Sequence, residues 1–123
     1  MRCEASGRCL CGAISYQISG PMEDVIACHC KQCRQTSGHH VAATRCAREH
    51  LAISGTPVWF ESSPGHRRGF CGVCGSNLFW ENFERPTVSI MAGTLDDPTK
   101  LRIKEHIFVE DKADYYDVPE ALA

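Results

Sequence analysis

The cysteines of this chain are the residues whose spacing could do chemistry, and seven of the nine stand in three short clusters. A gap of two residues lets two thiolates converge on one metal ion when the turn is tight, and neighbouring glycines permit the close backbone approach that such a turn uses. This spacing indicates zinc binding. The clusters are Cys9-Leu10-Cys11, Cys28-His29-Cys30-Lys31-Gln32-Cys33 and Cys71-Gly72-Val73-Cys74-Gly75.

Two thiolates rarely hold zinc alone, so each pair of cysteines needs a complement. Joining the first cluster to the third gives four sulfurs around one ion, the closed arrangement of a structural zinc site. The middle cluster then supplies three thiolates and leaves a fourth position for water, substrate or a distant side chain, which is the arrangement of catalytic zinc. The four-cysteine set is Cys9, Cys11, Cys71 and Cys74, and the cysteine triplet is Cys28, Cys30 and Cys33.

A second grouping of the same cysteines is open at this point. One zinc ribbon could join the middle cluster to the third and leave the other cysteines as ordinary buried thiols. Charge does not choose between the groupings, but zinc with three thiolates is already anionic, and such electron-rich centres are nucleophilic toward carbon electrophiles. In the ribbon the ligands are Cys30, Cys33, Cys71 and Cys74, and the plain thiols are Cys9, Cys11 and Cys28.

Five further residues could take part, but a simpler role is expected for each. Cys3 and Cys46 have no spaced partner, so terminal exposure is expected for Cys3 and burial for Cys46. His29 sits between two candidate ligands, yet in an extended loop its side chain points away from theirs, which favours a supporting or exposed position over coordination. His39 and His40 could enter the pocket of the triplet as acid or base, or simply begin a strand.

Composition and charge exclude several classes of partner. Lysines and arginines number 13 against 15 acidic residues, which gives a net charge of -2 and a pI near 6.3. Such a chain lacks the basic stripe that phosphate backbones require, so nucleic acid is excluded as a partner. No apolar run is long enough for a signal peptide or a membrane span, so we expect a cytoplasmic protein without a membrane partner. In that reducing compartment, clustered thiols are metal ligands rather than disulfides.

The segments that must position these cysteines are predicted to be mainly β. The length of the chain fits a single domain over residues 1–123. Residues 31–37 are expected to form a short helix that ends at Gly38, and residues 54–57 to link a hairpin. The strands should be short and antiparallel, with the cysteines in their turns. They are predicted at residues 6–10, 13–18, 25–28, 40–43, 51–54, 58–61, 67–70, 77–80 and 88–91.

Four ordered motifs of this chain resemble those of the glutathione-dependent formaldehyde-activating enzyme family. The resemblance spans nearly the whole chain, and it implies an Mss4-like β-tent, a fold of short antiparallel sheets with zinc-binding turns and little helix. The motifs are GRCLCG at residues 7–12, CHCKQCRQTSG at 28–38, FCGVCGS at 70–76 and AGTLDDP at 92–98.

The resemblance implies two zinc ions per chain and a carbon-sulfur lyase activity. Carried over position by position, it implies structural zinc on the four-cysteine set and reactive zinc on the triplet, so Cys28, Cys30 and Cys33 are the expected catalytic residues. The implied reaction is the condensation of formaldehyde with glutathione to S-(hydroxymethyl)glutathione, which is formally a lyase reaction running in reverse.

On this hypothesis a small thiol such as glutathione is the partner and becomes the fourth ligand of the reactive zinc. A free thiol has a pKa of about 8.5, and a nearby metal or positive charge can lower it to ~7.5 or below. The thiolate then attacks the aldehyde carbon, while water, His39 or His40 moves the proton. Arg34, Arg67 and Arg68 could bind the carboxylates of glutathione, or could be ordinary solvated surface residues.

An alternative function of another class is a zinc-stabilised module that binds proteins without chemistry. The guanine-nucleotide-exchange chaperone Mss4 uses a similar tent in this way, and a fold alone does not fix a function. Metal or redox sensing through the triplet thiols is a further alternative, and it would show as reversible zinc loss on oxidation. The feature that favours an enzyme is the open position of the three-sulfur set.

Overall fold

The computed structural model describes residues 5–119 of the chain, so Cys3 lies outside it. Within these residues short strands dominate, which confirms the mainly β fold class. The strands are β1 (Ala5–Arg8), β2 (Ser15–Ile18), β3 (Val25–Cys28), β4 (Val41–Ala47), β5 (Leu51–Ser54), β6 (Val58–Ser63), β7 (His66–Phe70), β8 (Asn77–Asn82), β9 (Thr87–Met91) and β10 (Ile103–Ile107). The α-helix is α1 (Lys31–Ser37), and single 3-10 turns cover Arg48–His50, Ala92–Thr94 and Val109–Asp111.

The strands form two sheets. β1, β2 and β5 pair antiparallel in a three-stranded sheet, and the other strands form a seven-stranded sheet in the order β10-β3-β4-β9-β8-β7-β6. Neighbours in the larger sheet are antiparallel except β10 and β3, which run parallel. This parallel pair differs from the predicted antiparallel arrangement. The chain runs from β9 past β4 and β3 to β10, so β10 joins β3 through a long connection and not through a hairpin.

The first two strands are shorter than the sequence predicted. β1 ends at Arg8 and β2 begins at Ser15, because residues 9–14 form a compact turn. In this turn the amide of Cys9 donates to the carbonyl of Ile14 at 3.0 Å. The turn that carries Cys9 and Cys11 therefore shortens both strands.

Residues 54–57 do not link a hairpin, which corrects the prediction made for them. β5 and β6 lie in different sheets, so this segment carries the chain from one sheet to the other. Gly55 has a φ of +92°, and a Cβ at this position would overlap the carbonyl oxygen of Ala13. Glycine is thus required for close passage rather than for a hairpin turn.

The helix lies where the sequence predicted it. α1 covers Lys31–Ser37 and ends at Gly38, whose φ of +85° is left-handed and whose amide donates to the carbonyl of Arg34. A left-handed glycine is the usual end of a helix. No helix among residues 5–119 has the length and apolarity needed to cross a membrane.

The main hydrophobic core joins residues of both sheets. Tyr16 and Ile18 of β2 pack with Phe79 of β8 and Ile90 of β9, and the ring of Tyr16 meets that of Phe79 edge to face at 5.5 Å. Burial of each such side chain stabilises the fold by about 1.5–3 kcal/mol. The core therefore provides the main attachment between the two sheets.

Alternation along the strands gives the larger sheet two different faces. One face projects into the core with buried residues such as Ala27, Cys46 and Val88. Residues that pair across neighbouring strands point to the same face of the sheet. The pairs that point away from the core line a cavity. The residues of this cavity face are Ile26, Cys28, Val41, Ala43, Arg45, His66, Arg68, Trp80, Asn82, Ser89 and Met91.

Candidate metal centres

Two turns that belong to different sheets bring the four-cysteine set together. The turn between β1 and β2 carries Cys9 and Cys11, and the turn between β7 and β8 carries Cys71 and Cys74. The four Sγ atoms lie within 4.8 Å of one another, and the Cys9–Cys11 and Cys11–Cys71 separations are both 3.7 Å. Sulfurs placed tetrahedrally around zinc, each about 2.3 Å from it, stand about 3.8 Å apart. The donor set therefore fits a tetrahedral metal ion.

Backbone amides are directed at these sulfurs. The amide of Ile14 donates to Sγ of Cys9 at 3.3 Å, and the amides of Val73 and Cys74 each donate to Sγ of Cys71 at 3.4 Å. Hydrogen bonds to a charged group favour its charged form. The turns thus stabilise thiolates, which is the form that binds a metal.

Ser76 ties the two turns together. Its hydroxyl accepts the amide of Leu10 at 3.0 Å and lies 3.2 Å from Sγ of Cys74, and this second contact is the main cause that lowers the pKa of Cys74 to about 5. Gly75 has a φ of +80°, and its amide closes the turn onto the carbonyl of Cys71 at 2.8 Å. Glycine adopts this left-handed conformation without a steric penalty.

The alternative four-sulfur ribbon is not assembled. The sulfurs of Cys71 and Cys74 gather with those of the first cluster and not with Cys30 and Cys33. Cys46 is 3% exposed and belongs to the core, as its lack of a spaced partner predicted, and burial raises its pKa to about 11.

The cysteine triplet spans the end of β3 and the start of α1. Cys28 is the last residue of β3, Cys30 is the N-cap of α1, and Cys33 lies in the first turn. Sγ of Cys30 accepts the amide of Cys33 at 3.3 Å, so this side chain also caps the helix. The three Sγ atoms lie within 4.8 Å of one another, Cys33 buried and the other two half-buried. The triplet could therefore hold one metal ion through three sulfurs.

A buried arginine stands against the triplet. Arg68 is 5% exposed, and its Nη2 donates to Sγ of Cys33 at 3.7 Å. Nη2 and Nε also donate to Oε1 of Gln32, at 2.8 and 3.3 Å. The hydrogen bond from the Cys28 thiol, with help from the guanidinium, lowers the pKa of Cys33 to about 5, while the same contact raises the pKa of Cys28. These surroundings favour a thiolate at Cys33.

A cavity of about 500 Å³ opens onto the triplet. All three cysteines of the triplet line it, and none of the four-cysteine set does. Pockets for small molecules typically enclose about 300–1,000 Å³, so this one has the size of a ligand site. Its apolar lining includes Ile26, Val41, Ala43, Trp80, Met91, Ile107 and Phe108, and its titratable side chains besides the cysteines are Glu23, Asp24, Arg45, His66, Arg68 and Arg85.

His66 is the one histidine of residues 5–119 that lines this cavity, and no sequence motif singled it out. Its ring stacks on Trp80 with centroids 5.5 Å apart, and its Nδ1 lies 2.9 Å from the carbonyl oxygen of Pro64. Because a carbonyl only accepts, Nδ1 carries a proton, and Nε2 is the ring nitrogen that can accept one. Pairing opposite Asn82 on β8 brings His66 to the cavity face.

The histidines beside the triplet in sequence lie outside the cavity. His29 is 0% exposed, its Nε2 is 2.9 Å from Nδ1 of His106, and its Nδ1 bonds to the hydroxyl of Tyr116. It is therefore buried rather than exposed, and it is not one of the clustered metal donors. The rings of His39 and His40 contact each other at a tilt of 44°, with centroids 4.3 Å apart, and neither histidine lines the cavity as an acid or base.

Two of the three arginines expected to bind carboxylates are engaged elsewhere. Nε of Arg67 donates to Glu81 at 2.5 Å, and its guanidinium lies over the ring of Trp59, 3.8 Å from the centroid. Arg34 donates to the carbonyl of Asp111 at 3.0 Å. Neither lines the cavity, so only Arg68 of this group remains near the triplet.

Two arginines that no motif indicated line the cavity instead. Arg45 makes a two-point contact with the carboxylate of Glu23, at 2.6 and 3.0 Å. Arg85 is exposed, and its side chain makes no hydrogen bond or ion pair with residues 5–119. The cavity therefore presents a free positive charge as well as carboxylates.

A known protein family and a solved structure resemble this chain. A solved structure of a Rhodobacter sphaeroides protein has a similar fold, with a TM-score of 0.64 at 19% sequence identity, and the match covers 75% of this chain and 88% of that chain. No curated protein matches the chain. The family model described as "Glutathione-dependent formaldehyde-activating enzyme" matches residues 4–111. Because this match covers most of the sequence, the chain belongs to the glutathione-dependent formaldehyde-activating enzyme family.

Proposed function

We propose that this protein is a zinc-dependent carbon-sulfur lyase of the glutathione-dependent formaldehyde-activating type. It binds a small thiol at the cysteine triplet and forms or cleaves the adduct of that thiol with an aldehyde such as formaldehyde. The proposal includes a structural zinc in the four-cysteine set and a reactive zinc in the triplet. The observation that carries it is that the triplet opens onto a cavity of ligand size.

The surroundings of the two sets support their different roles. In the four-cysteine set Cys9 and Cys71 are each 1% exposed, Cys74 is half-buried and Cys11 is exposed, and none of the four lines the cavity of the triplet. Cys28 and Cys30 are half-buried and line the cavity. Closed ligand sets are typical of structural zinc, and sets with an open position are typical of catalytic zinc.

The lining of the cavity supports a small zwitterionic thiol such as glutathione as the substrate. Trp80 and Met91 offer apolar surface to its carbon chain. Arg85 offers an unpaired guanidinium to a carboxylate, and Asp24, whose Oδ1 accepts a backbone amide, offers its other carboxylate oxygen to an ammonium group. Glutathione carries carboxylates and an ammonium group beside its thiol, so both signs of charge would find a partner.

The chemistry divides between the metal and the chain. Zinc bound to the triplet would supply a positive centre that binds the thiol sulfur and keeps it deprotonated near neutral pH. The apolar wall excludes water from that sulfur, whose lone pair forms a bond to the aldehyde carbon. The carbonyl oxygen takes up the proton that the thiol lost, so the addition balances without another reactant. Nε2 of His66 accepts and returns this proton, and it runs the same transfer backwards when the carbon-sulfur bond breaks.

The test is an exchange measurement with the purified zinc protein. Carbon-13 exchange spectroscopy at equilibrium measures how fast formaldehyde and S-(hydroxymethyl)glutathione interconvert. We expect the protein to accelerate this exchange well above the uncatalysed rate, and Cys28→Ser to return it to that rate while one zinc per chain remains. A protein with two bound zinc ions that accelerates no thiol–aldehyde pair would refute the proposal and favour the non-catalytic binding or sensing module.

A further inference from the structure

Arg68 is a buried cation without a carboxylate partner. It is 5% exposed, and no ion pair joins it to an acidic side chain within residues 5–119. Its polar contacts are the uncharged amide of Gln32 and the sulfur of Cys33. Arginine keeps its charge at any physiological pH, and an uncompensated buried charge is strongly destabilising. A negative charge beside the buried guanidinium would therefore stabilise the fold.

The carboxylates that line the same cavity are occupied by other groups. Glu23 binds Arg45 and also accepts from Nζ of Lys104 at 3.0 Å. Asp24 is exposed and accepts a backbone amide at 3.2 Å. Neither supplies the missing charge to Arg68.

The cysteine triplet is the remaining source of negative charge. Nη2 of Arg68 stands 3.7 Å from Sγ of Cys33. Three thiolates around a divalent ion leave one net negative charge, and a thiolate in the fourth position raises it to two. A neutral donor in that position would leave the charge unchanged. A cation at this distance thus stabilises the anionic ligand more than the neutral one.

The guanidinium is fixed in place and keeps one free amino group. Nε and Nη2 both donate to Gln32, whose own Nε2 is held by the carbonyl of Ser62 at 3.2 Å. Nη1 makes no hydrogen bond with residues 5–119, and this atom is not fully enclosed by the protein. Since Arg68 lines the cavity, Nη1 is available to a ligand that enters it.

We propose that Arg68 is a positioning residue that supplies the counter-charge of the triplet and makes its metal prefer an anionic fourth ligand, a thiolate, over a neutral donor. It acts through Cys33 rather than as a clamp for substrate carboxylates. The proposal rests on the proposed function for the metal and the thiol, and its test uses binding and metal release rather than turnover.

The experiment uses the cobalt-substituted protein, whose visible spectrum reports the ligands of the metal. The probes are 2-mercaptoethanol, a thiol without a carboxylate, and imidazole, a neutral donor. We expect Arg68→Gln to weaken 2-mercaptoethanol binding by about 10- to 100-fold, the usual effect of losing a partner outside the ligand shell. Imidazole binding should stay unchanged, and Arg68→Lys should restore most of the thiol affinity because it keeps the charge.

The matched control is Arg67→Gln. Arg67 is the preceding residue on β7, points to the opposite face and binds Glu81, so its removal also deletes one positive charge from this strand. Both probe affinities should be unchanged in this variant. Equal weakening of thiol and imidazole by Arg68→Gln would mean a structural role and overturn the proposal. Glutathione is titrated beside the two probes. If Arg68→Gln weakened glutathione binding and left 2-mercaptoethanol binding unaffected, Arg68 would be a clamp for substrate carboxylates, and the proposal would be overturned as well.

Metal release separates this proposal from the proposed function. With a chelator in excess, Arg68→Gln should release one metal equivalent about 10-fold faster than wild type and leave the other unchanged. If the wild-type protein bound no thiol, the proposed function would fail, while unchanged release would overturn the counter-charge role independently. Should Arg68→Gln not fold, Arg68→Lys decides: a thiol-to-imidazole affinity ratio close to wild type supports the proposal, and a collapsed ratio overturns it.

Discussion

Cys30 combines two tasks that one substitution can separate. Its sulfur belongs to the triplet, and it also accepts the amide of Cys33 as the N-cap of α1. Serine is among the best N-cap residues, so Cys30→Ser keeps the cap while it removes a metal ligand. We expect this variant to melt within a few degrees of wild type, to hold one zinc instead of two, and to lose thiol–aldehyde exchange.

Cys74→Ser is the matched comparison for Cys30→Ser. Cys74 is also half-buried, but its sulfur belongs to the set that joins two turns. We expect this variant to lose its cooperative melting transition together with zinc. Equal collapse of both variants in thermal melting would contradict the division into a structural and a reactive set.

His66 is predicted to carry the proton of the reaction. Its Nδ1 is committed to the carbonyl of Pro64, which leaves Nε2 for proton transfer in the cavity. We expect His66→Gln to lower the exchange rate by about 100-fold, the lower end of the usual contribution of a general acid or base. Zinc content and thiol affinity should be unchanged.

His39→Gln is the control for that variant, since His39 lies outside the cavity in contact with the hydroxyl of Tyr115. Its exchange rate should equal that of wild type. A loss of activity in His39→Gln as large as in His66→Gln would show that the proton travels another way.

At this scale the three cysteine clusters could be predicted from the sequence, because ligand spacing is a local property, but spacing left open which clusters share a metal ion. The roles of His66, Arg68 and Arg85 could not, because they depend on which face of a strand meets which neighbour. His66 and Arg68 stand two residues apart on β7 and so share the cavity face, while Arg67 between them turns to Glu81. Only the register of the sheet distinguishes these neighbouring residues.

At the scale of elements, β10 and the segment that follows it contact the loop that carries the triplet and fix its position. The amide of His29 donates to the carbonyl of Ile107 at 3.0 Å, and the ring of His29 lies between His106 and Tyr116. Nζ of Lys112 donates to the carbonyl of Tyr116 at 2.6 Å, which closes this segment on itself. The residue between two triplet ligands is thus fixed by a distant part of the chain.

Tyr116→Phe should loosen this loop. It removes the hydroxyl that bonds to buried Nδ1 of His29 and leaves that nitrogen without its partner. An unpaired buried polar atom costs about 1–3 kcal/mol, so we expect a loss of that size in the free energy of unfolding and faster hydrogen exchange at residues 28–33.

The control for this variant is Tyr115→Phe. Tyr115 is 62% exposed, and its hydroxyl bonds to exposed His39, where water can replace the lost contact. Its free energy of unfolding should stay within about 0.5 kcal/mol of wild type. If both variants were equally stable, the contact between Tyr116 and His29 would contribute nothing to holding the loop.

The predicted elements were confirmed where a local pattern determines them. The helix Lys31–Ser37 ends at Gly38, as its sequence indicates, and all nine predicted strands are present, two with the predicted ends and seven with shifted ends. β10 was not predicted, because Ile103–Ile107 holds three polar residues between two isoleucines and becomes a strand only by pairing with β3. The link at 54–57 has hairpin composition, but its partners lie in different sheets. In both cases the structure depends on the pairing of strands that are distant in sequence.

Considered as a whole, the molecule uses both faces of its larger sheet. One face packs with the smaller sheet in the core, and the other forms the cavity beside the triplet. The four-cysteine set combines one turn from each sheet. A metal ion bound to it would therefore link the two sheets through metal–sulfur bonds. Spacing left two groupings of the cysteines open, and nothing in the sequence indicated that the four-cysteine set would connect separate sheets.

This arrangement predicts that the two metals leave in order when a chelator is added. The triplet faces the cavity, so its zinc should leave first while the near-ultraviolet circular dichroism of the packed aromatic residues stays native. The second zinc lies against the core through Cys9 and Cys71, and its loss should coincide with cooperative loss of that signal. Structural zinc contributes on the order of 10 kcal/mol, comparable with the about 5–15 kcal/mol that stabilises a whole domain. Zinc release followed with a colorimetric indicator, recorded beside the dichroism, measures both steps, and Cys30→Ser should show the second step alone. Release of both equivalents from a chain that keeps its native signal would mean that the hydrophobic core alone holds the two sheets together.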